Sequence, residues 1–203
     1  MNIELNSDFP VTDEACKAAT GKTFGEWFAA IEAHGSEKGR RDVVQWIYNE
    51  TGRGKDVWWP TTIWVSYEAS KGTVKKDGLA EGYNICSTKT ISAGVDSIYA
   101  AFTEAGKNAW LGCSAAAEGV AYTDGGGNTG TWLRLRPGKD VRIAWQTKGV
   151  PNTTAVDATF TDSGKGKTLV NVMHNRIQTR EETDGLRNAW GEALNRLKAE
   201  LEG

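Results

Sequence analysis

The spacing of apolar side chains predicts helices in the first part of the chain. Trp27 and Ile31 recur at an interval that places them on one side of an α-helix. Thr23 precedes this segment and Glu26 follows three residues later, which is the pattern of a capping box at a helix start. The same apolar spacing returns over residues 37–51, so we expect the chain to begin with helices.

The stretch 56–71 gives two conflicting signals. Its β-branched and aromatic residues favour a strand by intrinsic propensity. Trp59, Ile63 and Tyr67 are nevertheless spaced four residues apart, and Pro60 fits the first turn of a helix, where its missing N–H costs little. The spacing therefore predicts a helix that begins after Asp56.

Residues 73–83 hold glycines and charges of both signs without an apolar stripe, which predicts a linker. We expect a small helical domain over 1–72 and a second domain over 84–203.

Beyond the linker the pattern acquires the period of two that is typical of strands. A strand over 84–90 is followed by a helical pattern over 95–102. Further strand-like runs, separated by turn signals, cover 119–123, 129–136, 141–147, 153–161 and 168–177. Within 129–136, Leu133 and Leu135 alternate with Trp132 and Arg134, and the inward face of that run is left open.

A long amphipathic helix is predicted at the end of the chain. Thr179 and Glu182 repeat the capping-box pattern at its start. Its large apolar residues form one stripe, which consists of Leu186, Trp190, Leu194, Leu197 and Leu201. An antiparallel sheet wrapped on this helix would bury the stripe, so the expected fold class is α+β.

Composition narrows the possible functions. A formal net charge of −2 provides no overall positive field for nucleic acid or an anionic membrane. Cys16, Cys86 and Cys113 form no CxxC pair, so neither a disulfide framework nor a zinc site is indicated. The chain has no signal-peptide pattern and no apolar run near the ~18 residues of a membrane span. We expect a cytoplasmic protein without a cofactor or metal.

Two glycine-rich runs look like phosphate-binding motifs. Residues 125–130 match GxGxxG, and residues 163–168 partly match a P-loop. Strand-like segments follow both, so the helix N-terminus that would hold a phosphate is missing. We predict two hairpin loops. The basic residues Lys38, Arg40 and Arg41 alternate with acids and are more typical of a solvated helix face than of a nucleic-acid contact.

Four segments of the second domain resemble one known family. They are STKTISAGVDSIYAAFTE (87–104), VRIAWQTKG (141–149), GKTLVNVMHNRI (166–177) and GLRNAWGEALNRLKAEL (185–201). In this order they resemble the AHSA-type (activator-of-chaperone-ATPase homologue) domains of the SRPBCC/START-like superfamily. The resemblance implies a helix-grip fold, in which a curved antiparallel sheet surrounds a long C-terminal helix. Residues 20–72 resemble a small uncharacterised helical domain that often precedes such domains in bacterial proteins.

The resemblance also implies a cavity between the sheet and the final helix. Alternation along the strands and the helix stripe predict its lining. The expected lining residues are Trp110, Trp132, Val141, Ile143, Trp145, Val156, Phe160, Val172, His174, Leu186, Trp190 and Leu194. For any one of them, packing in an ordinary core is the simpler explanation, and the set as a whole suggests a pocket.

The expected function is binding of a small apolar or amphipathic molecule in this cavity. One alternative is a cyclase- or hydrolase-type enzyme with His174 as first suspect and Arg134 or Tyr122 as helpers. Another is a protein-interaction module like the chaperone regulators. The sequence assigns no catalytic residue, and it leaves the ligand, any protein partner and the oligomeric state open.

Overall fold

A computed structural model describes residues 1–52, 58–76, 78–104, 107 and 115–203. The helices among these residues are α1 (Asp13–Thr20), α2 (Phe24–His34), α3 (Arg40–Glu50), α4 (Trp58–Ser70), α5 (Val95–Thr103) and α6 (Arg180–Glu202), together with a 3-10 turn at Ser36–Lys38. The strands are β1 (Tyr83–Ile91), β2 (Ala121–Thr123), β3 (Thr129–Arg136), β4 (Asp140–Gln146), β5 (Thr154–Asp162) and β6 (Thr168–Ile177). The predicted elements are present, with ends shifted by a few residues.

The strands form one antiparallel sheet in the order β1-β6-β5-β4-β3-β2. Its inner face packs against α5 and α6 in a single hydrophobic cluster. Trp132 and Trp145 from the sheet and Leu186 and Trp190 from α6 are almost fully buried in this cluster. A curved sheet around a long C-terminal helix is the predicted α+β helix-grip architecture, which is confirmed.

The two predicted capping boxes have different outcomes. At α2 the Thr23 side chain accepts from the backbone of Glu26, and the Glu26 carboxylate accepts from the Thr23 backbone N–H at 2.8 Å. At α6 the Thr179 side chain accepts from the Glu182 backbone N–H at 3.3 Å. The Glu182 carboxylate does not accept a hydrogen bond from the Thr179 backbone N–H, and its side chain is buried. The second box is therefore only half formed.

Helix α4 confirms the helical prediction for the stretch with strand-like composition. The predicted cap, Asp56, lies outside the described residues. Trp59 and Ile63 pack in the cluster of the N-terminal helices, whereas Val65 packs in the cluster of the sheet. Helix α4 thus buries apolar side chains in both clusters, and this burial outweighs the weak local preference for a strand.

A β-bulge decides which side chains of β3 face inward. Trp132 lies opposite Ile143 and Arg134 lies opposite Arg142, so Leu133 is an extra residue in the ladder. Trp132 and Leu135 consequently both pack toward the hydrophobic cluster, although they are three residues apart. Leu133 is 50% exposed. The regular alternation assumed from the sequence fails at this point.

The first nine residues, which we call the N-terminal strap, run along the sheet domain. The Met1 carbonyl accepts a hydrogen bond from the Asn128 side chain at 2.7 Å, in the β2–β3 loop. The Met1 and Ile3 side chains pack with the sheet cluster. Further along, the Asp8 backbone donates to Asp184 on α6 at 3.1 Å. The strap therefore connects the sheet to α6, while the division of the chain at 1–72, 73–83 and 84–203 stays a prediction.

Across the described ranges, no helix combines the length and apolar character that crossing a membrane requires.

Candidate functional site

The predicted lining residues converge in the interior between the sheet and α6. Trp110 lies outside the described residues. All the others are buried together, and these are Trp132, Val141, Ile143, Trp145, Val156, Phe160, Val172, His174, Leu186, Trp190 and Leu194. They come from the inward faces of strands β3–β6 and from the apolar stripe of helix α6.

A chain of hydrogen bonds runs through this interior from α6 to the sheet. The indole N–H of Trp190 donates to Nδ1 of His174 at 3.0 Å. Because Nδ1 accepts, the neutral imidazole carries its proton on Nε2, which lies 2.7 Å from the Thr154 hydroxyl. That hydroxyl donates in turn to the Trp145 carbonyl at 3.0 Å. Both ring nitrogens of His174 are therefore engaged.

Burial keeps His174 neutral. The ring is fully buried, and desolvation lowers the pKa of His174 to about 3. A histidine that is neutral and bonded through both nitrogens holds the indole of Trp190 against strands β5 and β6. In this arrangement it acts as a structural anchor.

Aromatic rings form a continuous wall beside this histidine, which we call the aromatic wall (Tyr122, Trp132, Trp145 and Trp190). The ring centroid of Trp145 lies 5.8 Å from that of Trp190 and 6.2 Å from that of Tyr122. The Tyr122 ring lies 5.3 Å from Trp132. These tilted contacts have the separations favoured by aromatic pairs. All four rings are almost fully buried, so the aromatic wall is part of the packed interior between the sheet and α6.

Glu182 is the interior residue that sequence reasoning missed. Its side chain is buried in the first turn of α6, and neither carboxylate oxygen has a hydrogen-bond partner in the described part of the chain. Burial raises the pKa of Glu182. The Thr147 side chain and the Gln178 backbone lie near enough to lower this pKa in part, although neither has the geometry of a hydrogen bond to the carboxylate. The same Thr147 hydroxyl accepts from the indole N–H of Trp145 at 3.1 Å, which places Glu182 close to the aromatic wall.

A signal for Glu182 is present in the sequence. Glu182 precedes Leu186 by four residues and Trp190 by eight, so it continues the apolar stripe of α6. The capping-box pattern already accounted for this glutamate, so its place on the apolar stripe was overlooked. The indole N–H of Trp132 is a second buried group without a hydrogen-bond partner among the described residues.

The two glycine-rich runs lie in hairpins, as predicted. The first spans the β2–β3 connection and enters β3 at Gly130, where a side chain would collide with Tyr122 and the Ala144 carbonyl. The second spans the β5–β6 connection. In the portion of the chain that the structure describes, no group of three or more His, Cys, Asp or Glu residues has metal-binding geometry. Cys113 lies outside the described residues.

Comparison with known proteins places residues 92–202 in a family. The sequence profile described as "Activator of Hsp90 ATPase homolog 1-like protein" matches residues 92–202, more than half of the chain. The chain belongs to this family. A comparison with curated protein sequences found no significant match.

Solved structures share the fold of this AHSA-type domain. An HSP90 activator from Plasmodium falciparum is 15% identical, with a TM-score of 0.54 over 60% of this chain and 97% of that one. CalU16 from Micromonospora echinospora is 23% identical, with a TM-score of 0.54 over 61% and 68%. The Aha1 dimer from Colwellia psychrerythraea is 23% identical, with a TM-score of 0.52 over 59% and 96%. At these identities the likeness establishes the fold alone.

In the AHSA-type domain, the two residues considered as catalytic helpers, Arg134 and Tyr122, lie on opposite sides of the sheet. Arg134 lies on the outer side of the sheet, where its guanidinium contacts Asp140 at 3.0 Å and Asp157 at 3.6 Å. The bulge at Leu133 causes this outward placement. Tyr122 lies inside, in the aromatic wall. The geometry therefore assembles an aromatic wall with a buried carboxyl group, and leaves Arg134 apart from His174.

Proposed function

We propose that this AHSA-type protein binds a small amphipathic molecule in the interior between the sheet and α6. The observation that carries the proposal is the buried carboxyl group of Glu182, which lacks a hydrogen-bond partner among the described residues. Buried polar atoms in folded proteins nearly always have a partner, and a ligand with a hydrogen-bond donor would supply one for this carboxyl group.

The chemistry of the interior supports a particular class of ligand. The aromatic wall accommodates a flat apolar group, because indole and phenol rings pack well against ring systems. Glu182 accepts hydrogen bonds when ionised, so the polar end of the ligand should carry a hydroxyl or amine donor. The proposed ligand is thus an aromatic or polycyclic molecule with one donor group.

Binding is better supported than catalysis in this interior. The Trp190 and Thr154 bonds to His174, together with its lowered pKa, leave no free ring nitrogen to accept a proton near neutral pH. Arg134 is paired with acids on the outer side of the sheet. A cyclase- or hydrolase-type reaction would need a different set of residues.

A fluorescent aromatic amine, N-phenyl-1-naphthylamine, tests the proposal directly. It should bind the full-length protein saturably, and Glu182→Gln should weaken binding by roughly tenfold, because a hydrogen bond to a charged group is lost. Glu192→Gln is the matched control, since Glu192 lies exposed on the same helix. The proposal is contradicted if the wild-type protein does not bind the probe, or if the two variants bind it equally well.

A protein-interaction role is the second candidate, and the family description supports it. A stimulation of Hsp90 ATP hydrolysis by the purified protein would support this role. The absence of both stimulation and complex formation would contradict it. The cytoplasmic location expected from the sequence stays a prediction.

A further inference from the structure

The interior between the sheet and α6 is closed in this structure. Trp145 and Glu182 are fully buried, and Trp190 is 1% exposed. Protein interiors are close-packed, so a ligand can reach Glu182 only if a packed group moves aside. Met1, at the start of the N-terminal strap, is one of the groups packed in the same hydrophobic cluster, and it is 6% exposed.

The loop between β2 and β3 holds Met1 in this position. The Met1 nitrogen lies 2.5 Å from the Asp124 carboxylate, and the Met1 carbonyl accepts from the Asn128 side chain at 2.7 Å. The Asn128 side-chain oxygen in turn accepts from the backbone N–H of Lys148 at 3.0 Å. Asn128 therefore joins the start of the strap to the connection between β4 and β5.

This connection lies beside the buried carboxyl group of the interior. Thr147 directly precedes Lys148, and its side chain is close enough to Glu182 to influence the pKa of that carboxyl group. The Thr147 hydroxyl also accepts from the indole N–H of Trp145 at 3.1 Å. Met1 is thus docked at the end of the interior where Glu182 and the aromatic wall meet.

The strap then crosses α6 close to Glu182. A Cβ atom at Gly185 would overlap the Glu4 carbonyl and lie 3.1 Å from the Ile3 side chain. Gly185 follows Glu182 by three residues, so the two positions are neighbours on the helix surface. The first four residues of the strap therefore cover the first turns of α6.

The strap is firmly held at its far end and loosely held between its ends. The Phe9 ring lies 5.0 Å from that of Trp59 and 4.0 Å from the Arg180 guanidinium. Met1 is the only one of the nine strap residues that is buried, and Leu5 is 45% exposed. Segments with few buried contacts open locally without global unfolding. An opened strap would keep Met1 tethered near the interior through Phe9.

We propose that the strap is an internal competitor of the ligand: the Met1 side chain occupies space that an amphipathic ligand takes, and binding displaces the start of the strap. This inference rests on the proposed function of the interior. A methionine side chain is flexible and unbranched, so it fills an apolar space without a specific partner. Because the docked strap and the ligand exclude each other, the apparent affinity is reduced to the extent that the strap is docked.

Two glycine substitutions test the proposal on the full-length protein. Gly126 lies in the β2–β3 loop without a positive φ, and a Cβ atom there would overlap the Met1 carbonyl. Gly126→Ala and Gly185→Ala should both disfavour the docked strap, at Met1 and at Glu4. Each variant should bind N-phenyl-1-naphthylamine about tenfold more tightly than wild type while it melts at a lower temperature. Gly191→Ala, which meets nothing within 4 Å, is the matched control and should keep wild-type affinity.

Hydrogen exchange of the strap provides a second measurement. By linkage, a ligand that is excluded by the docked strap must also weaken its docking. Backbone amides of residues 2–7 should therefore exchange faster in the wild-type protein at saturating probe than without probe. A purely structural role of the strap predicts no such change.

The outcomes separate this proposal from the function on which it rests. Saturable binding with equal affinity in wild type, Gly126→Ala, Gly185→Ala and Gly191→Ala would overturn the competition and leave interior binding intact. Slower exchange of the strap at saturating probe would also overturn it, because the strap would then close over the ligand. The absence of saturable binding to all four proteins would contradict the proposed function itself.

Discussion

The indole N–H of Trp190 donates to Nδ1 of His174 across 3.0 Å, and this bond joins the C-terminal helix α6 to strand β6 in the interior. It also fixes the tautomer of the histidine, because a nitrogen that accepts a hydrogen bond carries no proton. Protonation of His174 would break this bond and place a charge among apolar groups. The stability of the fold is thereby coupled to pH.

The contribution of His174 to the stability of the wild-type protein should fall in mild acid. The pKa in the folded protein, about 3, lies below that of an unfolded histidine, so the unfolded state binds the proton more readily. The stabilisation is fully present above about pH 6.5 and is lost as the pH falls toward 3. Urea denaturation between pH 7 and pH 5 should show a contribution of about 1.4 kcal/mol per pH unit below pH 6.5.

His174→Gln tests the cause of that slope. A glutamine oxygen can still accept from Trp190, and it does not titrate. The difference in unfolding free energy between wild type and variant should shrink as the pH is lowered from 7 to 5. A constant difference over this range would show that His174 is not the titrating group.

Glu182 should give the opposite dependence on pH. Its pKa is raised by burial, so the folded state binds the proton more readily than the unfolded state does. Stability is lost as the pH rises from about 4.5 through the raised pKa, because a buried charge forms. Glu182→Gln should therefore stabilise the unliganded protein at pH 7 by about 1–3 kcal/mol, and this gain should shrink toward pH 4.

The control for this gain is Glu192→Gln, at an exposed position of α6. It should change the unfolding free energy at pH 7 by less than about 0.5 kcal/mol. Equal effects of the two substitutions in urea denaturation would argue against a special environment at Glu182.

Two glycines of α6 should respond in opposite directions to alanine. At Gly185 a Cβ atom would overlap the Glu4 carbonyl of the N-terminal strap, whereas at Gly191 nothing lies within 4 Å. Gly185→Ala should destabilise the fold by about 1–3 kcal/mol. Gly191→Ala should stabilise it by up to about 1 kcal/mol through helix propensity. Thermal unfolding measures both, and stabilisation by both would show that the strap does not pack on α6.

Arg180 should stabilise the packing of α4 against α6. It is 2% exposed and donates to Asp184 and to Thr62, each at 2.9 Å. Its guanidinium also lies 4.0 Å from the ring centroid of Phe9. Arg180→Met should cost about 3–5 kcal/mol in unfolding free energy, because it breaks a buried ion pair.

Arg196→Met is the matched control on the same helix. Arg196 is half exposed and its contact with Glu192 is 3.9 Å, so its loss should cost less than about 1 kcal/mol. Chemical denaturation of both variants provides the comparison. A similar cost for the two would contradict the role assigned to Arg180.

Local sequence signals were sufficient for the elements of the fold. Apolar spacing located α4 at Trp58–Ser70 despite its strand-like composition, and turn signals separated the strands. These signals act over a few residues, so they are readable in the sequence. The family resemblance supplied the helix-grip arrangement, and the inward faces of β4–β6 followed from alternation.

Long-range pairing decided what the sequence left open. The bulge at Leu133 turned Arg134 outward, and a second bulge between β1 and β6 placed both Asn175 and Arg176 opposite Asn84. Neither has a local signature, because the register of a strand depends on a partner strand that is distant in sequence.

The sequence by itself determined the elements, their order and most of the residues that meet in the interior, because periodicity encodes which side of an element is apolar. Only the tertiary structure decided the chemical state of the polar groups placed among them. His174 is neutral and Glu182 is unpartnered among the described residues because of the neighbours that folding brings to them. Desolvation and hydrogen bonding depend on that three-dimensional environment and cannot be read from the position of a residue in the chain.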